Sequence, residues 1–340
     1  MSAPDEPAPE PRDPRRKRDG KRDDVRAQVK ATRADIERQL ESTRADIERQ
    51  FEATRGKIEA TSEKIQARTG RNLILAILIG LALGFAMLFS LIVVKELFLL
   101  FGAFIVFFTV YELSQGLRRS GRMVPIIPVI FATVAMIPLT WFWSGAGQWL
   151  GLVGGIALVT LWRLIETLLP GRRVDGSSLL RDVGSAIFVL IYVALFMSFT
   201  VLLLAREGGE YWILAFLILV IAVDTGAYAS GLSFGRHPMA PRISPKKTWE
   251  GFAGAVAASL VGGVLLAVLM LQMPWWFGLV FGVAIVLSAT IGDLAESLLK
   301  RDLGIKDMSS WLPGHGGFLD RLDSILPSAV ITYALFLIFA

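Results

Sequence analysis

Between residues 71 and 340 the chain consists mainly of apolar stretches of about 20 residues, and this feature limits the fold most strongly. Only about an eighth of the side chains in this segment are charged, whereas a soluble domain carries charge on roughly a quarter of its residues. A helix needs about 20 apolar residues to cross the hydrocarbon core of a bilayer. Residues 71–340 are therefore predicted to form an all-α, polytopic integral membrane domain.

About nine transmembrane helices fit into this segment with short loops between them. The second is weak because Glu112 lies within it, and a re-entrant hairpin is an alternative there. The predicted spans cover residues 72–94, 97–116, 124–143, 148–169, 185–204, 211–232, 251–271, 275–294 and 324–340.

Basic residues concentrate in alternate loops of this arrangement. The loops on the side of the N-terminus carry three or four Lys or Arg each, whereas the opposite loops carry only Lys95 and Arg206, each beside a glutamate. Cytoplasmic loops are the positively charged ones, so the N-terminus is predicted to be cytoplasmic and the C-terminus to lie on the opposite side. No cleavable signal peptide is visible, which makes a bacterial cytoplasmic membrane the simplest location, although an endoplasmic reticulum membrane gives the same charge bias.

The segment before the membrane domain has two parts. Residues 1–24 mix proline with charges of both signs and are predicted to be disordered. Within 25–70, the stretch ATRADIERQLE at 31–41 recurs as STRADIERQFE at 42–52, which keeps apolar side chains on one face of a helix. This eleven-residue period predicts a helix on the membrane surface, a solvated stalk, or a right-handed coiled coil joining copies of the chain.

Polar residues of the membrane domain concentrate in two stretches, 224–251 and 292–323, which hold both histidines of the chain. The chain has no cysteine, which excludes disulfides, thiol nucleophiles and thiolate metal sites. Asp224 falls inside the sixth span, where a carboxylate marks a functional site unless an ion pair or a proton neutralises it. Asp293, Glu296, Ser297 and Lys300 have the spacing of one helix face at the cytoplasmic end of the eighth span.

Four carboxylates on three different helices are therefore predicted to meet at the cytoplasmic side: Asp224, Asp293, Asp320 and Asp323. Helix capping alone is the alternative for the last two. Carboxylates that converge at one depth need a cation, and hard oxygen ligands favour Mg²⁺ over zinc or copper.

Basic side chains near these acids suit the oxygens of a polyphosphate, although a solvated loop is the simpler explanation for any one of them. They are Lys246, Lys247, Lys300, Arg301, Lys306 and Arg321. Gly314, Gly316 and Gly317 surround His315, and the absence of side chains there allows backbone N–H groups to approach an anion.

The run from Ser297 to Asp323, SLLKRDLGIKDMSSWLPGHGGFLDRLD, resembles the C-terminal signature of phosphatidate cytidylyltransferases, also called CDP-diacylglycerol synthases. SPKKTWEG at 244–251 is similar to a second motif of that family. The resemblance covers about residues 72–340 and implies an all-helical membrane enzyme. It implies that the enzyme joins CTP to phosphatidic acid, with Mg²⁺, and releases CDP-diacylglycerol and pyrophosphate.

On this interpretation, an oxygen of phosphatidate attacks the α-phosphorus of CTP in line. Asp293 and Asp320 are expected to hold Mg²⁺, with Asp224 and Asp323 as further ligands or as holders of a second cation. His315 is interpreted as a phosphate contact or an orienting donor and less as a base. Lys300, Arg301 and Arg321 are assigned to the triphosphate. The remaining predicted substrate contacts are Arg236, Arg242, Lys246, Lys247, Ser297, Lys306, Gly316 and Gly317.

The residues alone leave three other functions as alternatives. They are a related membrane transferase or polyprenol-type kinase, an ion or lipid transporter, and a scaffold organised by residues 25–70. The expected partners are CTP and phosphatidic acid, with no nucleic acid and with homo-oligomers as an open alternative. A transporter would place charges along a path across the bilayer, whereas the charges here concentrate on one side.

Overall fold

The computed structural model of the chain describes residues 49, 73–169, 175–305, 307–309, 311 and 316–340. The chain divides into two units between residues 70 and 71, and the membrane domain is the second unit, Arg71–Ala340. The predicted tail at 1–24 lies outside the described residues. So does the predicted repeat helix at 25–70, apart from Arg49, which is helical.

The described membrane domain is mostly helical. Among its described residues, seven helices are long and apolar enough to cross a membrane, and a shorter apolar helix, Ile77–Val93, precedes them. The chain is therefore an integral membrane protein. The helices are α1 (Leu73–Val93), α2 (Lys95–Arg119), α3 (Ile126–Leu168), α4 (Gly176–Leu204), α5 (Gly209–Phe234), α6 (Trp249–Leu269), α7 (Trp275–Asp302) and α8 (Leu319–Phe339).

The 43 residues of α3 form two helices that fold back on each other at Ser144 (φ 51°, ψ −134°). In a straight helix, residues 23 apart lie about 35 Å from each other. A Cβ atom placed on Gly155 would instead lie 3.0 Å from the Cβ of Ala132. The third and fourth predicted spans are thus the two arms of one tightly closed hairpin.

The polar residue in the second predicted span does not interrupt the helix. α2 is continuous over 25 residues, so the alternative of a re-entrant hairpin is wrong. Glu112 is accommodated because its side chain is buried and accepts a hydrogen bond from the backbone N–H of Leu319 (2.8 Å).

A small β-hairpin between α5 and α6 departs from the all-α prediction. Strands β1 (Pro238–Ala240) and β2 (Ser244–Thr248) are antiparallel, with Pro238 opposite Thr248. Three prolines lie in this segment, and proline lacks the N–H that a helix interior requires, so an extended hairpin replaces another helical turn. The hairpin carries Lys246 and Lys247 out from the ends of the helices.

Helices α5, α6 and α7 pack with their backbones almost in contact. A Cβ on Gly226 of α5 would meet the carbonyl of Gly254 on α6 at 2.7 Å, and Gly263 of α6 lies directly against Gly278 of α7. Small residues allow this approach, which favours van der Waals packing of helices within a bilayer. The Ser259 hydroxyl adds a hydrogen bond to the carbonyl of Gly282 (2.8 Å). Asp224 and Asp293 are thereby held on neighbouring, rigidly packed helices.

Apolar side chains form two buried clusters, and α8 contributes to both. One cluster lies between α2, α3 and α4 and includes Leu319 and Leu326 of α8. The other lies mainly between α5, α6 and α7 and includes Ala329. The first cluster therefore fixes the start of α8, where Asp320 and Asp323 lie, and the second cluster packs against the helix further along.

The start of α4 is held by two aspartates in different environments. Asp175 caps the helix by accepting the N–H of Ser178 (3.2 Å), and hydrogen bonds from Ser177 and Ser178 hold the pKa of its carboxyl well below its usual range. Asp182 is buried, where it accepts from the Arg163 guanidinium (2.6 Å) and from the N–H of Met123 (2.8 Å). Asp182 thus joins α4 to α3 and to the end of the α2–α3 loop.

We expect Asp182→Ala to lower the free energy of unfolding by about 3–5 kcal/mol, because it leaves the buried Arg163 without this carboxylate. Thermal unfolding of the purified protein in one detergent measures the loss. Asp175→Ala, which removes an exposed carboxylate from the same helix, is the matched control and should have a much smaller effect. Equal losses from the two variants would contradict a stabilising role for the buried pair.

Candidate active site

A polar cavity of about 290 Å³ lies where α5, α7 and α8 meet. It brings together all four aspartates that the sequence predicted to converge, and adds one that was not predicted, Asp307. Two basic residues and one hydroxyl complete the wall. The lining residues are Asp224, Asp293, Lys300, Asp307, Asp320, Arg321, Asp323 and Ser324.

Lys300 connects α7 to the start of α8. Its ammonium lies 2.5 Å from Glu296 one turn earlier, and it donates to Asp320 Oδ1 at 3.0 Å. The side chain of Glu296 is 0 % exposed, and that of Asp320 is 8 % exposed. One ammonium therefore bridges two shielded carboxyl groups beside the cavity.

The backbone before α8 fixes the other oxygen of Asp320. The N–H of Gly317 donates to Asp320 Oδ2 (2.7 Å). Gly316 has a φ of 84°, and a Cβ there would lie 2.7 Å from the same oxygen. Glycine is therefore required at 316 both by the left-handed backbone and by its distance from the carboxylate.

Asp293 is held by residues from two elements. The ammonium of Lys247 in β2 forms an ion pair with it, and the hydroxyl of Ser297 lies 3.4 Å from its Oδ1. The β-hairpin thus places a cation on the acidic cavity, although Lys247 and Asp293 are 46 residues apart in the sequence.

A second cavity of about 290 Å³ adjoins the first and shares Asp224 and Asp293 with it. Lys246, Lys247 and Thr248 lie on its polar side. The rest of its wall is mainly apolar and comes from α5, α6 and α7. Asp224 and Asp293 therefore line one charged cavity and one largely apolar cavity.

Glu112 on α2 is a residue of this region that the sequence analysis did not assign to the site. Its Oε2 accepts the N–H of Leu319, and Gly317 packs directly against its carboxylate. It therefore holds the turn that positions Asp320. The available signal was the carboxylate within an apolar span, which marks a functional position by default.

The other predicted site residues lie at the edge of the site or outside the described residues. Arg301 donates to the carbonyl of Ile243 at the tip of the β-hairpin (3.3 Å). Arg236 and Arg242 are exposed and line neither of these two cavities, and Glu250 accepts the backbone N–H of Arg236 (3.0 Å). Lys306 and His315 lie outside the described residues.

The oxygen donors of the polar cavity suit a hard cation such as Mg²⁺ in their chemistry. Within the part of the chain that the structure describes, however, no three Asp, Glu or His side chains form a ready-made metal cluster. Lys247 and Lys300 are paired with two of the expected ligands, Asp293 and Asp320. The predicted Mg²⁺ and second cation therefore remain predictions.

Comparison with known proteins identifies the family of this chain. Residues 74–339 match the model of the cytidylyltransferase family. The chain belongs to this family. A cytidylyltransferase was predicted from residues 244–251 and 297–323, and that prediction is confirmed. The match spans nearly the whole described membrane domain, so it includes both cavities and the helices that form them.

Relatives of this cytidylyltransferase include several proteins named phosphatidate cytidylyltransferase. A phosphatidate cytidylyltransferase of Mycobacterium bovis is 39% identical over 272 residues, which cover 78% of this chain and 89% of the relative. One from Mycobacterium leprae is 37% identical over 284 residues, 81% of this chain and 90% of the relative. One from Brucella suis is 39% identical over 158 residues, 46% of this chain and 57% of the relative. A transporter or a scaffold finds no support in these relatives.

Proposed function

We propose that this membrane enzyme transfers CMP from CTP to phosphatidic acid and forms CDP-diacylglycerol and pyrophosphate. The proposal rests above all on the family match over residues 74–339. The polar cavity supports it, since it lies at the ends of apolar helices, where a cytoplasmic nucleotide and a lipid phosphate can meet.

In the proposed reaction, a phosphate oxygen of phosphatidic acid bonds to the α-phosphorus of CTP, and the bond from that phosphorus to the bridging oxygen of pyrophosphate breaks. Lys300 and Arg321 lie on the cavity wall and neutralise phosphate oxygens as charge develops on the leaving group. Phosphatidic acid is already ionised at pH 7, so the lipid needs no general base.

Asp293 and Asp320 are the proposed holders of Mg²⁺, and Asp224 and Asp323 supply further oxygen ligands or a second cation site. When bound, Mg²⁺ supplies positive charge beside the phosphates of CTP. Lys247 and Lys300 pair with two of these carboxylates, Asp293 and Asp320, and so orient them.

We propose nine membrane crossings, in which the arms of α3 count separately and α1 is included. The N-terminus is then cytoplasmic, Ala340 is on the opposite side, and the membrane is the bacterial cytoplasmic membrane. Lys95 and Glu210 support this arrangement. They pair at 2.7 Å where α2 and α5 begin, so these two helices begin on the same side of the membrane, as nine crossings require.

Purified protein in detergent should convert radiolabelled CTP and phosphatidic acid into a labelled CDP-lipid, and chelation of divalent ions should abolish the product. Diacylglycerol and polyprenol serve as alternative acceptors in parallel reactions. Product with phosphatidic acid alone supports the proposal. Transfer to an alcohol acceptor instead would identify a lipid kinase or another transferase, and full activity after chelation would overturn the metal assignment.

A further inference from the structure

A third cavity, of about 190 Å³, lies deeper in the membrane domain than the acidic one and is almost entirely apolar. Its walls come from α1, α2, α4, α5 and the start of α8. Apart from Arg321 and the hydroxyl of Thr200, every lining side chain is apolar, and Gly84 contributes none. Apart from Arg321, nothing in the lining suits a nucleotide or a metal ion, whereas the apolar side chains suit a hydrocarbon chain.

Arg321 connects this apolar cavity to the acidic one, because it lines both. It lies at the cytoplasmic start of α8. The other walls lie farther along the helices, away from the acidic cavity, at Met87 of α1, Phe101 of α2 and Phe216 of α5. A molecule with its phosphate at Arg321 can therefore extend a hydrocarbon chain from the acidic cavity into the apolar one.

We propose that the apolar cavity holds one acyl chain of the phosphatidic acid substrate and that residue 84 limits the length of that chain. This inference rests on the proposed function. The shape and the charge of the cavity both fit this substrate. The cationic guanidinium of Arg321 lies at one end, where it suits an anionic headgroup, and the other walls are almost entirely apolar, where they suit the attached chain.

Gly84 is the position in the wall where added volume enters empty space. A Cβ placed on Gly84 would have no other atom within 4 Å, so a larger side chain fits without displacing the backbone. A leucine there fills part of the cavity that the terminal methylenes of a long chain would otherwise occupy. Ala86, two residues further along α1, is exposed and does not line the cavity.

The test compares kcat/KM for phosphatidic acids with dioctanoyl and dipalmitoyl chains, in mixed micelles of constant composition. Gly84→Leu should lower the dipalmitoyl-to-dioctanoyl ratio at least about tenfold relative to wild type, since a few methylenes in an apolar pocket are discriminated by that order. Ala86→Leu adds the same side chain outside the cavity and should leave the ratio unchanged.

Met87→Ala changes the cavity in the opposite direction and should raise the same ratio. It decides the question should Gly84→Leu fail to fold. Unchanged ratios in active variants at both positions overturn the acyl-chain assignment while the proposed function stands. A wild-type protein that makes no CDP-lipid from either phosphatidic acid instead overturns the proposed function itself.

Discussion

Asp320→Asn should lower turnover of CTP and phosphatidic acid by about a thousandfold while the protein still folds in the membrane. The carboxylate of Asp320 is the point where α7, α8 and the turn before α8 meet, through Lys300 and the N–H of Gly317. Asparagine keeps the size of the side chain but removes its negative charge. Loss of one charged group that a transition state requires typically costs a hundred- to a thousandfold or more.

Asp302→Asn is the matched control for this experiment. Asp302 is a largely exposed carboxylate at the end of α7 and lies 3.4 Å from Arg122, outside the polar cavity. The same substitution there should leave turnover within about twofold of wild type, because exposed ion pairs contribute little. Near-normal turnover by Asp320→Asn, measured with equal amounts of folded protein, would refute its place at the reaction centre.

Local spacing predicted the part of the site that lies on a single helix. The seven-residue separation of Asp293 and Lys300 places both side chains on one face of α7, and both line the polar cavity. The same spacing could not separate the role of Glu296, whose side chain is completely shielded and paired with Lys300. Burial depends on neighbouring helices, which the period of one helix does not contain.

Contacts between residues far apart in the sequence could not be predicted from it and are seen only in the structure. Lys247 reaches Asp293 because three prolines turn the chain into a hairpin beyond α5, and strands this short have no clear periodic pattern. The closed hairpin of α3 turns at Ser144, a residue type that seldom adopts a positive φ. Gly147 follows the turn, and a Cβ there would lie 1.8 Å from the carbonyl oxygen of Leu139, but a glycine alone does not predict how closely two arms pack. Hydropathy predicted both of its arms but not their close packing.

Glu112 shows how a correct observation led to an incomplete interpretation. An acid within an apolar span predicted only that this span is weak. The structure places this acid against residues 317–319, more than 200 positions further along the chain. The cost of a carboxylate in a membrane favours a partner, but it does not identify which one.

Glu112→Leu should lower kcat about a hundredfold with little change in the KM for CTP. The backbone N–H of Leu319 loses its acceptor, and the turn that aims Asp320 at the cavity is no longer held from α2. A displacement of about 1 Å at a reacting group can cost this factor. Glu112 does not line the polar cavity, so its effect passes through the position of Asp320.

Glu112→Gln separates this positioning role from a general loss of structure. The amide oxygen of glutamine can accept the same N–H at the same reach, so kcat should return to within about fivefold of wild type. Steady-state kinetics and thermal unfolding are measured on both variants. Equal losses of kcat in the two would assign the importance of Glu112 to its charge. A loss in Glu112→Leu that follows only the unfolded fraction would reduce the residue to a structural one. The expected pattern is a folded Leu variant with low kcat and a Gln variant that restores it, because the hydrogen bond to Leu319 is the contact that matters.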